Sequence, residues 1–107
     1  MKAAKRRRLE AAGWKVGSAQ DFLGLTDEDA EYIELHLSLG ALLTKRRKSL
    51  GYTQTDVADL IGSSQSRVAK MEAGDPSVSI DLLIRTLLAL GANRRQLGRA
   101  IGAASSA

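Results

Sequence analysis

The run Thr53-Gln54-Thr55-Asp56-Val57-Ala58-Asp59-Leu60-Ile61-Gly62-Ser63-Ser64-Gln65-Ser66-Arg67-Val68-Ala69-Lys70-Met71-Glu72-Ala73-Gly74 decides how the chain folds. Thr53 precedes an apolar run as a helix cap, Asp56 three residues later completes a capping box, and Gly62 closes the segment. Ser64 caps a second segment, and Gly74 closes it. This punctuation predicts two short helices, 54–61 and 65–73, joined through Gly62, Ser63 and Ser64. Val57, Ala58 and Ile61 of the first helix are then set to face Val68 and Met71 of the second. Ala58 is small where two crossing helices must approach closely.

The same punctuation extends in both directions. Upstream, Thr26 with Asp29 three residues on opens a long helix that runs to Leu50, with Gly51 as its left-handed cap. Asp27 and Glu28 suit the positive end of that helix's dipole, and the bases from Lys45 to Lys48 suit its negative end. Gly40 falls mid-helix, where a bend is expected. Ile33, Leu37 and Ala41 form one apolar row and Leu35, Leu39, Leu42 and Leu43 another. Two rows imply packing on more than one side. Downstream, Ser79 caps 80–90, with Val78 and Leu83 spaced for a hydrophobic staple and Gly91 at the close. Asn93 with Gln96 opens 94–101, where Leu97 and Ile101 share a face. No segment alternates with period two for long enough to form a strand, so the fold is expected to be all-α.

Composition sets the outer limits. The chain has 107 residues, enough for one core, with 44% hydrophobic and 26% charged residues. Cysteine is absent and His36 stands alone, which excludes disulfides and argues against zinc; no metal and no cofactor is expected. No apolar run approaches the roughly 20 residues of a membrane span, and no signal-type stretch follows the bases of residues 2–8. The expected location is the cytoplasm, without membrane attachment. One histidine without a nucleophile constellation offers little for acid–base catalysis, so the protein is not expected to be an enzyme.

The net charge of +4 is unevenly spread. Residues 1–17 carry Lys2, Lys5, Arg6, Arg7, Arg8 and Lys15 against Glu10, whereas residues 21–34 carry Asp21, Asp27, Glu28, Asp29, Glu31 and Glu34 and no base. From residue 45 onward ten bases face five acids. Such segregation points to different partners on different surfaces, with the basic half suited to phosphate. Residues 1–12 read either as a short helix ended by Gly13 or as a disordered basic arm. Trp14, Val16, Phe22, Leu23 and Leu25 concentrate large apolar groups in a short segment that must dock on something. The organisation expected is therefore an extension over 1–32, a helical domain over 33–102 and a disordered tail over 103–107.

Two short helices joined by a glycine-containing turn make a helix-turn-helix. On the second of them, Gln65, Ser66, Ala69 and Lys70 share one outward face of amide, hydroxyl, methyl and ammonium groups, which can read base edges or touch a thymine methyl. Arg67 flanks that face, within reach of a base or a phosphate. The Thr-Gln opening, the alanine five residues after Thr53, the turn glycine, the Gln-Ser start and the Glu-x-Gly close together resemble the Xre family, the helix-turn-helix of lambda-type repressors and Cro. The resemblance implies a five-helix lambda-repressor-like domain with an N-terminal helical extension, and a homodimer on a palindromic operator of double-stranded DNA. It further implies that Gln54 anchors a phosphate and steadies Gln65, and that Arg47 and Glu72 form a buried ion pair. Ser64 at the second helix start and the cluster Lys45, Arg46 and Lys48 are assigned to phosphate.

A narrower resemblance covers Gly13-Trp14-Lys15-Val16-Gly17-Ser18-Ala19-Gln20-Asp21-Phe22-Leu23-Gly24-Leu25 and Pro76-Ser77-Val78-Ser79-Ile80-Asp81-Leu82-Leu83, which look like the corresponding parts of HigA-like antitoxins. It implies a repressor of its own operon, the antitoxin of a type II toxin-antitoxin pair that neutralises a small basic RelE/HigB-like toxin. Trp14, Val16, Phe22 and Leu23 would be its partner-binding residues, and the acidic stretch 21–34 suits a basic partner. The other readings are a stand-alone Xre-type regulator and a helical protein-interaction module that does not bind DNA.

Overall fold

The computed structural model describes residues 23–103, and the N-terminal residues up to 22, which include Trp14, Val16 and Phe22, lie outside that span with the last four. Among the described residues there are five helices and no strand: α1 (Asp27–Ser49), α2 (Gln54–Ile61), α3 (Gln65–Glu72), α4 (Ile80–Ala89) and α5 (Arg94–Gly102). The fold is all-α. The chain divides into two compact units, Met1–Tyr32 and Ile33–Ala107, and the second holds the core.

Every helix starts on the residue whose side chain can satisfy it. Thr26 Oγ1 accepts from Asp29 N at 3.0 Å, and Asp29 Oδ2 accepts from Thr26 N at 3.1 Å. Thr53 with Asp56 and Asn93 with Gln96 form the same reciprocal box, while Ser64 and Ser79 accept from Arg67 N and Leu82 N. Each cap occupies backbone N–H groups that the first helical turn leaves unpaired. Helix ends fall within one residue of the sequence boundaries, the first at Ser49 rather than Leu50, as expected where ends fray.

The core gathers Leu39 and Leu43 of α1, Val57 and Ala58 of α2, Val68 and Met71 of α3, Val78, then Leu83 and Leu87 of α4 and Leu97 of α5. Val78 and Leu83, on either side of the Ser79 cap, are both buried. The structure refines three expectations. Along α1 the buried residues are His36, Leu39, Gly40 and Leu43, a single stripe, whereas Leu37 and Ala41 are exposed and Ile33 is half-buried. Gly40 is better explained by close approach than by a bend: a Cβ there would lie 2.6 Å from the Met71 carbonyl oxygen and 2.9 Å from that of Glu72. The missing side chain lets α1 lie directly against the end of α3. Ile101 does not share the burial of Leu97, because the core neighbour one turn along α5 is Ala100.

Candidate nucleic-acid interface

The turn between α2 and α3 is compact because Gly62 adopts φ +67°, which allows Ser63 N to reach back to Ala58 O at 2.8 Å. Val57, Ala58, Val68 and Met71 are buried between the two helices and the rest of the core. The opposite side of α3 is left to solvent. Gln65, Ser66, Arg67 and Lys70 are exposed there, and Ala69 is half-buried between them. None of these residues is acidic, so the face presents hydrogen-bonding groups and positive charge together.

Behind that face runs a relay of side chains. Arg47 Nε donates to Glu72 Oε2 at 2.5 Å and Arg47 Nη2 to Glu72 Oε1 at 3.1 Å, with little of either side chain exposed. Gln54 Nε2 donates to Glu72 Oε1 at 3.1 Å, and Gln65 Nε2 donates to Gln54 Oε1 at 2.7 Å. The order of this chain follows from its acidic end. An ionised carboxylate only accepts, so Gln54 must turn its amide nitrogen to Glu72 and its oxygen to Gln65. Gln65 must then offer its own nitrogen to Gln54. One Nε2 hydrogen and the Oε1 of Gln65 remain, and that pair matches the N7 acceptor and N6 donor of adenine in a major groove.

Beside the reading face, Ser64, Ser66, Arg67 and Lys70 line a groove of 290 Å³ with Ser77 and Val78 from the segment after α3. The cations Arg67 and Lys70 and the hydroxyls of Ser64 and Ser66 suit a phosphate backbone, while the Ser77 hydroxyl is engaged by the neighbouring Asp75 carboxylate. The Ser64 hydroxyl caps α3 and also pairs with Ser66 Oγ at 3.2 Å, so it sits at the positive end of the helix dipole.

A family described as helix-turn-helix matches residues 43–102, more than half of the chain. The chain belongs to the helix-turn-helix family, of the Xre and lambda-repressor kind. No curated protein and no solved structure matches it. This helix-turn-helix protein is a DNA-binding transcription regulator. No described helix is long and apolar enough to cross a membrane.

Lys45 and Arg46 line a separate groove of 570 Å³ with Leu42, Ser49, Gln96, Arg99 and Ala100, on the side of α1 that meets α5. Arg46 Nε donates to Leu90 O at 2.7 Å, which ties this guanidinium to the end of α4. Lys48 is exposed, and so is Leu23, at 64%. Sequence reasoning passed over Ser77 as a groove residue and His36 as a buried donor. A signal for His36 existed, since it falls on the helical row of Gly40, Leu43 and Arg47.

Glu72, Asp56 and Asp75 are held below the ordinary carboxyl range, and each has a nameable cause. Burial pushes Glu72 upward, but the hydrogen bonds from Arg47 and Gln54 and the charge of Arg47 outweigh it. Asp56 is lowered by the Thr53 backbone N–H and hydroxyl of the capping box, and Asp75 by the backbone N–H and hydroxyl of Ser77. Folded values below the unfolded ones mean that the folded form binds fewer protons in acid. Stability from these groups is full above about pH 4–5, near the unfolded values, and is lost as pH falls through the folded ones. Thermal melts from neutral pH down to about pH 2 are expected to show Tm falling on the acid side, and Asp56→Asn to flatten that limb. A Tm that rises on acidification would contradict the assignment.

Proposed function

We propose that this protein is a sequence-specific repressor that binds a palindromic operator as a homodimer in the cytoplasm. Gln65, Ser66, Arg67, Ala69 and Lys70 read base edges, with Gln54, Ser64 and Lys48 on phosphates. The observation that carries this reading is the relay from Arg47 through Glu72 and Gln54, which leaves the free edge of Gln65 on the exposed face of α3. Operator selection from random duplexes, followed by titrations at several salt concentrations, tests it. Gln65→Ala is expected to cost about 1–3 kcal/mol at the selected operator and to relax specificity at one base position. Unchanged discrimination between operator and random DNA would remove Gln65 from the reading role. Lys45 and Arg46 are separated from Lys48 by the same titrations. Neutralising a residue that touches phosphate lowers the salt slope by about one, and neutralising one that does not leaves it unaltered.

The same regulator acts as the antitoxin of a type II pair, repressing its own operon and neutralising a basic RelE/HigB-like toxin. This rests on the acidic stretch 21–34, the apolar residues Trp14, Val16, Phe22 and Leu23, and the resemblance to HigA-like antitoxins. Co-expression with the product of a short basic reading frame adjoining the gene decides it. A stable complex and relief of toxicity support the antitoxin role, and their absence leaves a stand-alone regulator.

A further inference from the structure

His36 is wholly buried, yet it lies outside the span that the family matches. Its Nε2 sits 2.5 Å from the backbone oxygen of Val78, 42 residues away. A carbonyl oxygen only accepts, so Nε2 carries the proton and donates it. Val78 is also one of the residues that line the groove beside α3, with Ser64, Ser66, Arg67, Lys70 and Ser77.

The segment after α3 is braced at both ends by different means. At its start Asp75 N donates to Lys70 O at 3.1 Å, and Ser77 N and Val78 N fold back onto Asp75. These bonds are local and tie the segment to α3. At its far end the imidazole of His36 reaches from α1 to hold the Val78 carbonyl. The turns of α1 that carry His36 are fixed in place by Gly40 against the end of α3 and by Leu37 against Gly74. The groove wall formed by Ser77 and Val78 is thus located by α1 rather than by α3 alone.

We propose that His36 is a positioning residue for the DNA interface. Its hydrogen bond sets the 75–79 segment against α3 and so fixes the groove in which a backbone phosphate lies against Arg67, whose five N–H donors can serve a base edge and a phosphate together, with Ser77 and Val78 as the opposite wall. This rests on the DNA-reading assignment above. His36 touches no DNA itself and acts through the carbonyl it holds.

The chain has one histidine, so its ring gives a single set of NMR signals in the unmodified protein. Titrating full-length protein with a random-sequence duplex is expected to show a slowly exchanging Nε2 proton whose resonance shifts as DNA binds. In parallel, His36→Phe removes the donor and keeps aromatic bulk, whereas His36→Gln restores an N–H of similar reach. The phenylalanine variant is expected to lose about tenfold in affinity for that duplex and about one unit of salt slope, with the glutamine variant returning toward wild type. A loss of stability alone would lower the active fraction at every salt concentration without changing the slope. An Nε2 resonance that stays put at saturating DNA overturns the proposal, whether or not His36→Phe folds, as does a folded His36→Phe with wild-type slope. If the wild-type protein shows no salt-dependent binding at all, the failure belongs to the DNA-reading assignment instead.

Discussion

Glu72→Ala is expected to lower the stability of the domain by about 3–5 kcal/mol, a large share of what a small domain possesses. Arg47 and Glu72 have 13% and 7% of their side chains exposed, so removing the carboxylate strands a guanidinium that water scarcely reaches. The remaining bond from Arg47 Nη1 to Tyr52 O, at 2.8 Å, supplies an acceptor but no opposite charge. Chemical denaturation followed by circular dichroism should show a lower midpoint with an unchanged slope. The double variant Arg47→Met with Glu72→Leu should recover most of the loss, since no charge is then left unpaired. Its DNA discrimination should stay poor, because Gln54 no longer has the acceptor that orients its amide and, through it, that of Gln65. A midpoint for Glu72→Ala equal to wild type would show that the pair contributes nothing to the fold. Recovered discrimination in the double variant would separate the relay from DNA reading.

The parts of this architecture that were legible in the sequence are those fixed by neighbours a few residues away. Thr26 and Asp29, Thr53 and Asp56, Asn93 and Gln96 close their hydrogen bonds within one helical turn, so spacing alone announces them. Gly51, Gly62, Gly74 and Gly91 take positive φ for reasons equally local. The relay joins residues far apart in the chain, and it entered the sequence reading through family resemblance rather than through periodicity. What stayed hidden depends on which neighbour meets which face of α1. Successive residues on a helix are turned by about 100°, so Arg46 and Arg47 point to different partners, Leu90 and Glu72. A run of four bases cannot disclose that division. His36 and Gly40 were obscured for the same reason, since their roles are contacts with Val78 and with the end of α3.

Gly40 offers the sharpest test of that hidden contact. Mid-helix glycine ordinarily costs up to about 1 kcal/mol relative to alanine, so filling it should stabilise wherever there is room. Gly98 of α5 is such a place, with nothing within 4 Å of a Cβ built there, and Gly98→Ala is expected to raise stability by about 0.5–1 kcal/mol. At Gly40 the sign reverses. The atoms that a Cβ would meet are the backbone oxygens of Met71 and Glu72 and the backbone nitrogen of Gly74, none of which can swing aside as a side-chain tip could. Gly40→Val must therefore push α1 off the end of α3, at a cost of about 3 kcal/mol, the upper part of the range for overpacked cores. The displacement falls on the residues that hold Glu72 and the segment leading to Ser77, so operator affinity should drop further than the folded fraction explains. Denaturation midpoints and DNA titrations on the two glycine variants, compared side by side, settle the matter. A Gly40→Val protein as stable as Gly98→Ala would mean that α1 does not rest on the recognition helix as closely as its missing side chain implies.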